Sequence, residues 1–304
     1  MSAHELPRPP RRITPLEAPH FGGARFPLSE SGILALVQSA LDEDAAFGDL
    51  TTLATVHPTR RARARLVTRE AGVIAGVPLA LAAFRVLDER VEIRVDAEDG
   101  RALQGGETVL FLSGHARGLL AAERTALNFM QHLSGIATLT HRFVEAVKGT
   151  RAAIVDTRKT LPGWRRLDKY AVRCGGGVNY RWDLASAVLI KDNHLAAVDG
   201  DIALAVKRVR DYAPEGTPVQ VEVETLAQAK IAVDAGAESI LLDNMSNEEM
   251  RECVGIAHGR SITEASGGVN LRTVRAIAET GVDRISVGAL THSAPALNLA
   301  LDFE

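Results

Sequence analysis

The sequence predicts an α/β protein in two parts: an α+β layer, then an open or incomplete α/β barrel of about six parallel strands. Three observations carry this. From residue 153 onward, short apolar runs alternate with stretches of helical spacing, the rhythm of successive βα units. Nearly every run ends in polar or charged residues, as barrel strands do at the rim where ligands bind. Residues 154–193 concentrate both features. One apolar run there ends in Asp156-Thr157-Arg158-Lys159 and another in Lys191-Asp192-Asn193, with a helix-like segment and three glycines (175–177) between them.

Taken in order, residues 1–27 contain PRPPRR and little apolar periodicity, which predicts a flexible arm. Residues 29–41 show helical spacing through Ile33, Leu34, Val37 and Leu41. An acidic loop is expected over 42–52. Residues 61–67 alternate arginine with small or apolar side chains, as a half-buried strand would. Runs at 73–77, 91–95 and 108–112 read as further strands, and 79–87 as a helix. Residues 117–148 are strongly helical, and Ser134-Gly135 is expected to divide them into two helices. Glu123 and Arg124 interrupt the apolar stretch AAERTALNFM, so Arg124 is expected to meet Glu123 or a ligand. The candidate barrel strands are 153–156, 187–191, 219–224, 239–243, 261–264 and 284–287. Helices at 202–212, 226–235 and 271–280 fall between several of them.

Composition sets the outer limits. The chain has 304 residues, 46% of them hydrophobic and 24% charged, within the globular range. A prior of roughly 150 residues per domain gives about two domains. A formal net charge of -3 argues against a general nucleic-acid binder, so clustered basic residues need a local reason. Cys174 and Cys253 fit neither a disulfide framework nor a metal-ligand spacing, which suits a reducing compartment. No apolar run has the length of a membrane span, and no signal-peptide core opens the chain. A soluble cytoplasmic protein with no membrane or nucleic-acid partner is expected.

The strand ends form a ring: Asp156, Arg158 and Lys159; Lys191 and Asp192; Glu222 and Glu224; Asp243 and Asn244; Glu264 and Ser266; Ser286 and Gly288. Strand alternation in VQVEVE puts Gln220, Glu222 and Glu224 on one face and the valines on the other. Buried carboxylates need a metal, a cation or a hydroxyl-rich ligand; internal pairing of Lys191 and Arg158 with Glu222 and Asp243 is the competing explanation. The last turns, Ser266-Gly267-Gly268 and Val287-Gly288-Ala289, let backbone N–H groups approach a phosphate. The ring therefore offers three subsites. Arg158, Lys159 and Lys191, with Arg181 and Arg124, suit polyanions. Glu222 and Asp243 suit Mg²⁺ or sugar hydroxyls. The glycine corner suits a phosphate monoester. A phosphorylated sugar carrying pyrophosphate, beside a carboxylated acceptor, would fill all three.

With these residues stand DLTTLAT (49–55), LVTREAGVIAG (66–76), ERTALNFMQHLSGIAT (123–138), DTRKTLPGWR (156–165), LDKYAV (167–172), GGGVNYR (175–181), LIKDNH (189–194), VEVETL (221–226), LLDN (241–244), EASGGVN (264–270) and ISVGALTHSAPALNLALDF (285–303). In this order they resemble the quinolinate phosphoribosyltransferase family, and the likeness covers nearly everything after the arm. The resemblance implies Mg²⁺-dependent transfer of phosphoribose from phosphoribosyl pyrophosphate to quinolinate. Decarboxylation then gives nicotinate mononucleotide, pyrophosphate and CO₂. It implies that Arg124, Arg158, Lys159 and Arg181 bind quinolinate carboxylates and pyrophosphate, with Arg124 reaching the partner's site in a homodimer. It places Lys191 at the reacting centre and Glu222 and Asp243 at the ribose hydroxyls and metal. Ser266, Gly267, Gly268 and Gly288, joined by His292, would hold the 5′-phosphate. It also implies an α/β sandwich domain (28–133), an incomplete barrel (134–290) and a C-terminal segment (291–304) packing back on the first domain.

The chain departs from the family pattern at Tyr180, where histidine is common. Tyrosine offers one hydrogen bond and no charge near neutral pH; Tyr180→His is expected to retain or improve the Michaelis constant for quinolinate. Three other readings are weighed against this one: a Schiff-base aldolase built on Lys191, a phosphosugar-binding paralogue with altered acceptor or no turnover, and a barrel protein associated with molybdate transport. The aldolase leaves the acidic and glycine subsites idle, and LIKDNH and LLDN favour the biosynthetic enzyme.

Overall fold

The structure is a computed structural model and describes residues 25–304. The arm expected over 1–27 lies outside the described residues except for its last three. Among those, Phe26 packs edge-on against Tyr170, with ring centroids 5.1 Å apart.

The first part begins with α1 (Glu30–Glu43), capped by the Ser29 hydroxyl and buried through Val37 and Leu41, one turn apart. The loop expected over 42–52 is in fact a 3₁₀ turn, Ala46–Gly48, followed by α2 (Leu50–Thr55). Asp49 nucleates α2 by accepting the N–H of Thr52 at 3.0 Å. Strand β1 (Arg61–Thr68) turns Arg61 and Arg63 to solvent while Ala64 and Leu66 are buried. Next come β2 (Gly72–Val73) and α3 (Val77–Leu87). The longer strand expected at 73–77 does not form. Asp99 takes the Val77 N–H and Ser134 the Ala75 N–H, in place of a strand neighbour, and Pro78 suits the first turn of a helix. Then follow β3 (Glu92–Val95), β4 (Ala102–Leu103), β5 (Thr108–His115) and α4 (Ala116–Ala146).

Helix α4 is unbroken, contrary to the division expected at Ser134-Gly135. These small residues serve close approach. Ser134 Oγ accepts from Ala75 N at 2.9 Å, and Thr138 Oγ1, one turn on, accepts from Val73 N at 2.9 Å. A Cβ on Gly135 would lie 2.2 Å from the Pro295 carbonyl oxygen. The helix runs through the boundary drawn at residues 133/134. It packs on α3 on one side and against the barrel's helices on the other.

The second part is a regular βα series. It contains β6 (Ala153–Val155), α5 (Arg165–Cys174), β7 (Val188–Ile190), α6 (Asp192–Ala196), α7 (Ile202–Tyr212) and β8 (Val219–Val223). It continues with α8 (Leu226–Asp234), β9 (Ser239–Asp243), α9 (Asn247–Ala257), β10 (Ile262–Ser266), α10 (Val274–Ala278), β11 (Arg284–Ser286) and α11 (Ala289–His292). The chain ends in β12 (Leu299–Phe303). Asp201, Thr225 and Ser246 cap α7, α8 and α9.

Six parallel strands lie in the order β6-β11-β10-β9-β8-β7, so the first meets the last and the sheet curls into an open barrel. No ladder joins β6 to β7. The first sheet is antiparallel, β12-β1-β5-β3, with Ala64 opposite Phe303 and Thr68 opposite Leu299. The last strand therefore returns to the first domain, and α4 and β12 fasten the two parts together.

Asp283 ties β10 to β11 at the end of the barrel away from the rim. It accepts from Thr263 N and Oγ1, each at 2.8 Å, and pairs with Arg151. Burial alone would raise its pKa, but the Thr263 and Arg151 contacts outweigh that and hold it below 3.8. The stability this supplies is present above the unfolded value and lost as pH falls through the depressed folded value. Asp283→Asn is expected to lower the melting temperature at pH 7 by about 3–6 °C. The gap from the unsubstituted protein should close below pH ~4; an equal gap at pH 7 and pH 3 would contradict this account.

Candidate active site

The rim of the barrel encloses a cavity of about 820 Å³. It is lined by the strand ends named from sequence: Asp156, Arg158 and Lys159 after β6, Lys191 after β7, Glu222 in β8, Asp243 in β9, Glu264 and Ser266 in β10, and Ser286 and Gly288 at β11. Parallel strands bring them together, because every carboxyl end points the same way. Glu224 is exposed and outside the lining, whereas Gln220 is buried and inside it. Gln220 Nε2 donates to Glu264 Oε2 at 3.0 Å. Burial raises the Glu264 pKa, against the hydrogen bond from Gln220 and the nearby Arg284 charge.

The cationic side is compact. Arg158 is half-buried, and its buried Nε has no hydrogen-bond partner among the described residues. Arg181 sits in the lining with φ of +30°, its Nε donating to the Ala187 carbonyl at 3.0 Å. Burial, then the neighbouring Arg158, lowers its pKa. Lys191 Nζ lies 3.1 Å from Glu222 Oε2, so that part of the expected internal pairing is present. The other part is absent: Asp243 Oδ2 accepts from Asn244 Nδ2 at 2.7 Å.

The glycine corner is made by the turns after β10 and β11, and β11 is the sheet neighbour of β6. Gly267 has φ of +94°, and a Cβ there would lie 2.2 Å from Asn244 Oδ1; this turn passes so close to its neighbour that only glycine fits. Lys159 comes up beside the last turn: a Cβ on Gly288 would lie 3.1 Å from Lys159 Cδ and 3.2 Å from His292 Nε2. Thr291 Oγ1 donates to the Lys159 carbonyl at 2.8 Å, fastening the basic segment to that turn. Ser266, Gly268 and His292 complete the corner.

Tyr180 lines the cavity, but its ring also packs under Arg284, whose guanidinium carbon lies 4.7 Å from the ring centroid. Burial raises its pKa. Arg124 is exposed on α4 and absent from this cavity. Trp164 stacks on Phe129 at 5.5 Å and also lies outside the lining, so it packs rather than walls the site.

Among the described residues, no group of three or more His, Cys, Asp and Glu could hold a metal ion. Glu222 and Asp243, on adjacent strands and both facing the cavity, supply two hard oxygen donors. That set fits a magnesium ion that keeps its remaining positions for water and substrate phosphate, and does not fit an all-protein cage.

Sequence reasoning passed over Lys169 and Asn179. Lys169 is fully buried on α5 and paired with Asp156. The available signal was a lysine within Leu167–Val172, a run that α5 buries without a break.

Residues 49–134 match the family described as "Quinolinate phosphoribosyl transferase, N-terminal domain", and residues 136–302 its C-terminal counterpart. A nicotinate-nucleotide pyrophosphorylase [carboxylating] of Mycobacterium leprae is 49% identical over 277 residues, which span 88% of this chain and 95% of that protein. A probable enzyme of the same name from Bacillus subtilis is 41% identical, over 86% and 89% of the two chains. The solved nicotinate-nucleotide pyrophosphorylase of Francisella tularensis superposes with a TM-score of 0.86 at 37% identity, covering 92% of this chain and 99% of that one.

Proposed function

The chain belongs to the quinolinate phosphoribosyltransferase family, and we propose from that premise how its cavity divides the family's reaction among named residues. The enzyme transfers phosphoribose from phosphoribosyl pyrophosphate to the ring nitrogen of quinolinate, with loss of the 2-carboxylate as CO₂, in the biosynthesis of NAD. The observation that carries the assignment is that one cavity gathers four cations (Arg158, Lys159, Arg181 and Lys191), the glycine turns after β10 and β11, and the carboxylates Glu222 and Asp243.

Arg158 and Arg181 receive the quinolinate carboxylates and turn the ring nitrogen toward the ribose. Lys159, beside the last glycine turn, and Lys191 neutralise phosphate and pyrophosphate oxygens. Ser266, Gly267, Gly268, Gly288 and His292 cradle the 5′-phosphate with backbone N–H groups and short side chains. Glu222 and Asp243 orient the ribose hydroxyls. They would also hold a magnesium ion that arrives with the substrate and offsets the negative charge of the leaving pyrophosphate. As the bond from ribose C1 to pyrophosphate breaks, positive charge builds on the sugar and negative charge on the leaving group. The flanking carboxylates and cations are placed to stabilise each. Alignment of the nitrogen with C1 supplies the rest. No covalent protein intermediate is required.

The chain works as a homodimer in the cytoplasm, with Arg124 serving the partner's cavity. Its exposure on α4, away from its own cavity, supports that reading. No described helix is long and apolar enough to cross a membrane. Arg124→Ala and Lys191→Ala proteins, each inactive alone, are expected to regain activity when mixed, since some mixed dimers contain one intact site. No recovery despite demonstrated subunit exchange would count against a shared site.

Tyr180→His is expected to keep the reaction and to leave the Michaelis constant for quinolinate unchanged or lower. It also exchanges the phenol ring beneath Arg284 for a smaller imidazole, so a melting temperature about 1–4 °C lower is expected. A large loss of turnover would give Tyr180 a role of its own.

The direct test is release of CO₂ and pyrophosphate with quinolinate, phosphoribosyl pyrophosphate and Mg²⁺, with nicotinate as the parallel acceptor. Turnover with quinolinate alone is expected. Binding of phosphoribosyl pyrophosphate by folded protein without turnover of either acceptor would favour the phosphosugar-binding paralogue.

A further inference from the structure

The open barrel leaves a gap between β6 and β7, and residues 178–187 cross it. The crossing starts as a continuation of the sheet. Val178 N donates to the Ile154 carbonyl at 2.9 Å, and Asp156 N donates to the Val178 carbonyl at 3.2 Å. Two residues later it brings Tyr180 and Arg181 to the cavity. Arg181 holds φ of +30°, a conformation that persists only where the surroundings impose it. The charge on Arg158 opposes that on Arg181, which works against holding both at one wall.

The root of the crossing is held by the Asp156 carboxylate, while Arg165 donates to the Trp182 carbonyl further on. The carboxylate accepts from Lys169 Nζ, from Tyr180 N at 3.0 Å and from Asn179 Nδ2 at 2.7 Å. Lys169 Nζ donates again to the Tyr180 carbonyl at 2.6 Å, and Asn179 Nδ2 to the Lys169 carbonyl at 2.8 Å. The Lys169 and Asp156 side chains are both 0% exposed, and Lys169 is not part of the cavity wall. A buried ion pair is a poor device for stability alone, since apolar residues of the same volume often do as well or better. Here its bonds converge on the two residues that precede Arg181.

We propose that Lys169 and Asp156 are positioning residues for acceptor recognition: their buried pair locks residues 178–181 to β6 and so holds Arg181 at the same cavity wall as Arg158, where one acceptor dianion would meet both. This rests on the assignment of Arg158 and Arg181 to the quinolinate carboxylates. Phosphoribosyl pyrophosphate recognition depends on other elements, namely Lys191 after β7, Glu222 in β8, Asp243 in β9 and the turns after β10 and β11. Lys159 is fastened separately, through Thr291.

The test compares Asp156→Asn/Lys169→Met, which removes both charges and leaves neither buried alone, with Lys169→Met, Arg181→Gln and the unsubstituted enzyme. Michaelis constants for each substrate, kcat and the near-ultraviolet dichroism are measured. In the double variant the quinolinate constant is expected to rise about tenfold or more, with the phosphoribosyl pyrophosphate constant within about threefold, because displaced contacts are lost on one substrate only. Equal changes for both substrates, no change for either, or a double variant that does not fold would each overturn the proposal by making the pair general scaffolding. If Arg181→Gln raises the quinolinate constant and the double variant does not, the positioning role falls and the site assignment stands. If Arg181→Gln leaves that constant untouched, the assignment fails and takes this proposal with it.

Discussion

Replacing Arg158 with methionine is expected to lower kcat/KM for quinolinate by about a thousandfold, within the range for losing one partner of a buried, hydrogen-bonded charge pair on binding. The reason lies in the free protein. Arg158 Nε is buried without a partner among the described residues. An unsatisfied buried donor costs about 1–3 kcal/mol, more when charged, and native structures keep one only where something else meets it. A carboxylate of the acceptor is suited to do so, by a charge-assisted bond. Methionine keeps the stem of the side chain and removes the donor. The melting temperature should therefore hold or rise while the Michaelis constant for quinolinate climbs. Most of the loss should fall on KM, because on the proposed assignment this contact forms when the acceptor binds and persists in the transition state. Wild-type kinetics in Arg158→Met would remove this residue from acceptor recognition.

The second large effect is expected at Lys191, where substitution by methionine should lower kcat by about 100-fold or more with a smaller change in either KM. Lys191 and Glu222 make a pair at 3.1 Å, and the lysine side chain is 49% exposed. An ion pair that open to water contributes little to folding, so the melting temperature should barely move. On the proposed assignment, its value arises when substrates displace water and negative charge develops on the leaving group, since the same charge acts more strongly in a lower dielectric. A change confined to KM would make Lys191 a ground-state contact. Glu222→Gln added to Lys191→Met should cost less than the sum of the two, since the residues share one interaction.

Much of the second domain was legible from one pattern. Short apolar runs ending in charge, spaced by helical segments, gave six parallel strands and one polar rim, and the structure has both. The signal is strong because a strand buried on both faces must be apolar along its length, while its carboxyl end meets ligand and water. The first domain was harder. Its elements are held by side chains distant in sequence, such as Asp99 on Val77 N and Ser134 on Ala75 N. Local propensity carries no trace of such partners. Ser134-Gly135 shows the same limit, for a pair that breaks many helices serves here to let α4 touch residues 73–75 and Pro295.

The site divides along the same line. Residue type and position by themselves determined the open barrel, the rim where its strand ends gather and most of the polar residues there, because strand polarity and side-chain alternation are local properties of the chain. Only the tertiary structure decided which of those residues meet. It paired Lys191 with Glu222, left Arg158 Nε without a partner, took Glu224 and Arg124 out of the cavity, and brought Lys159 beside Gly288. It alone exposed the Lys169–Asp156 pair beneath the gap between β6 and β7. These facts depend on contacts between segments far apart in sequence, whose distances are set when the sheet curls and α4 packs across it.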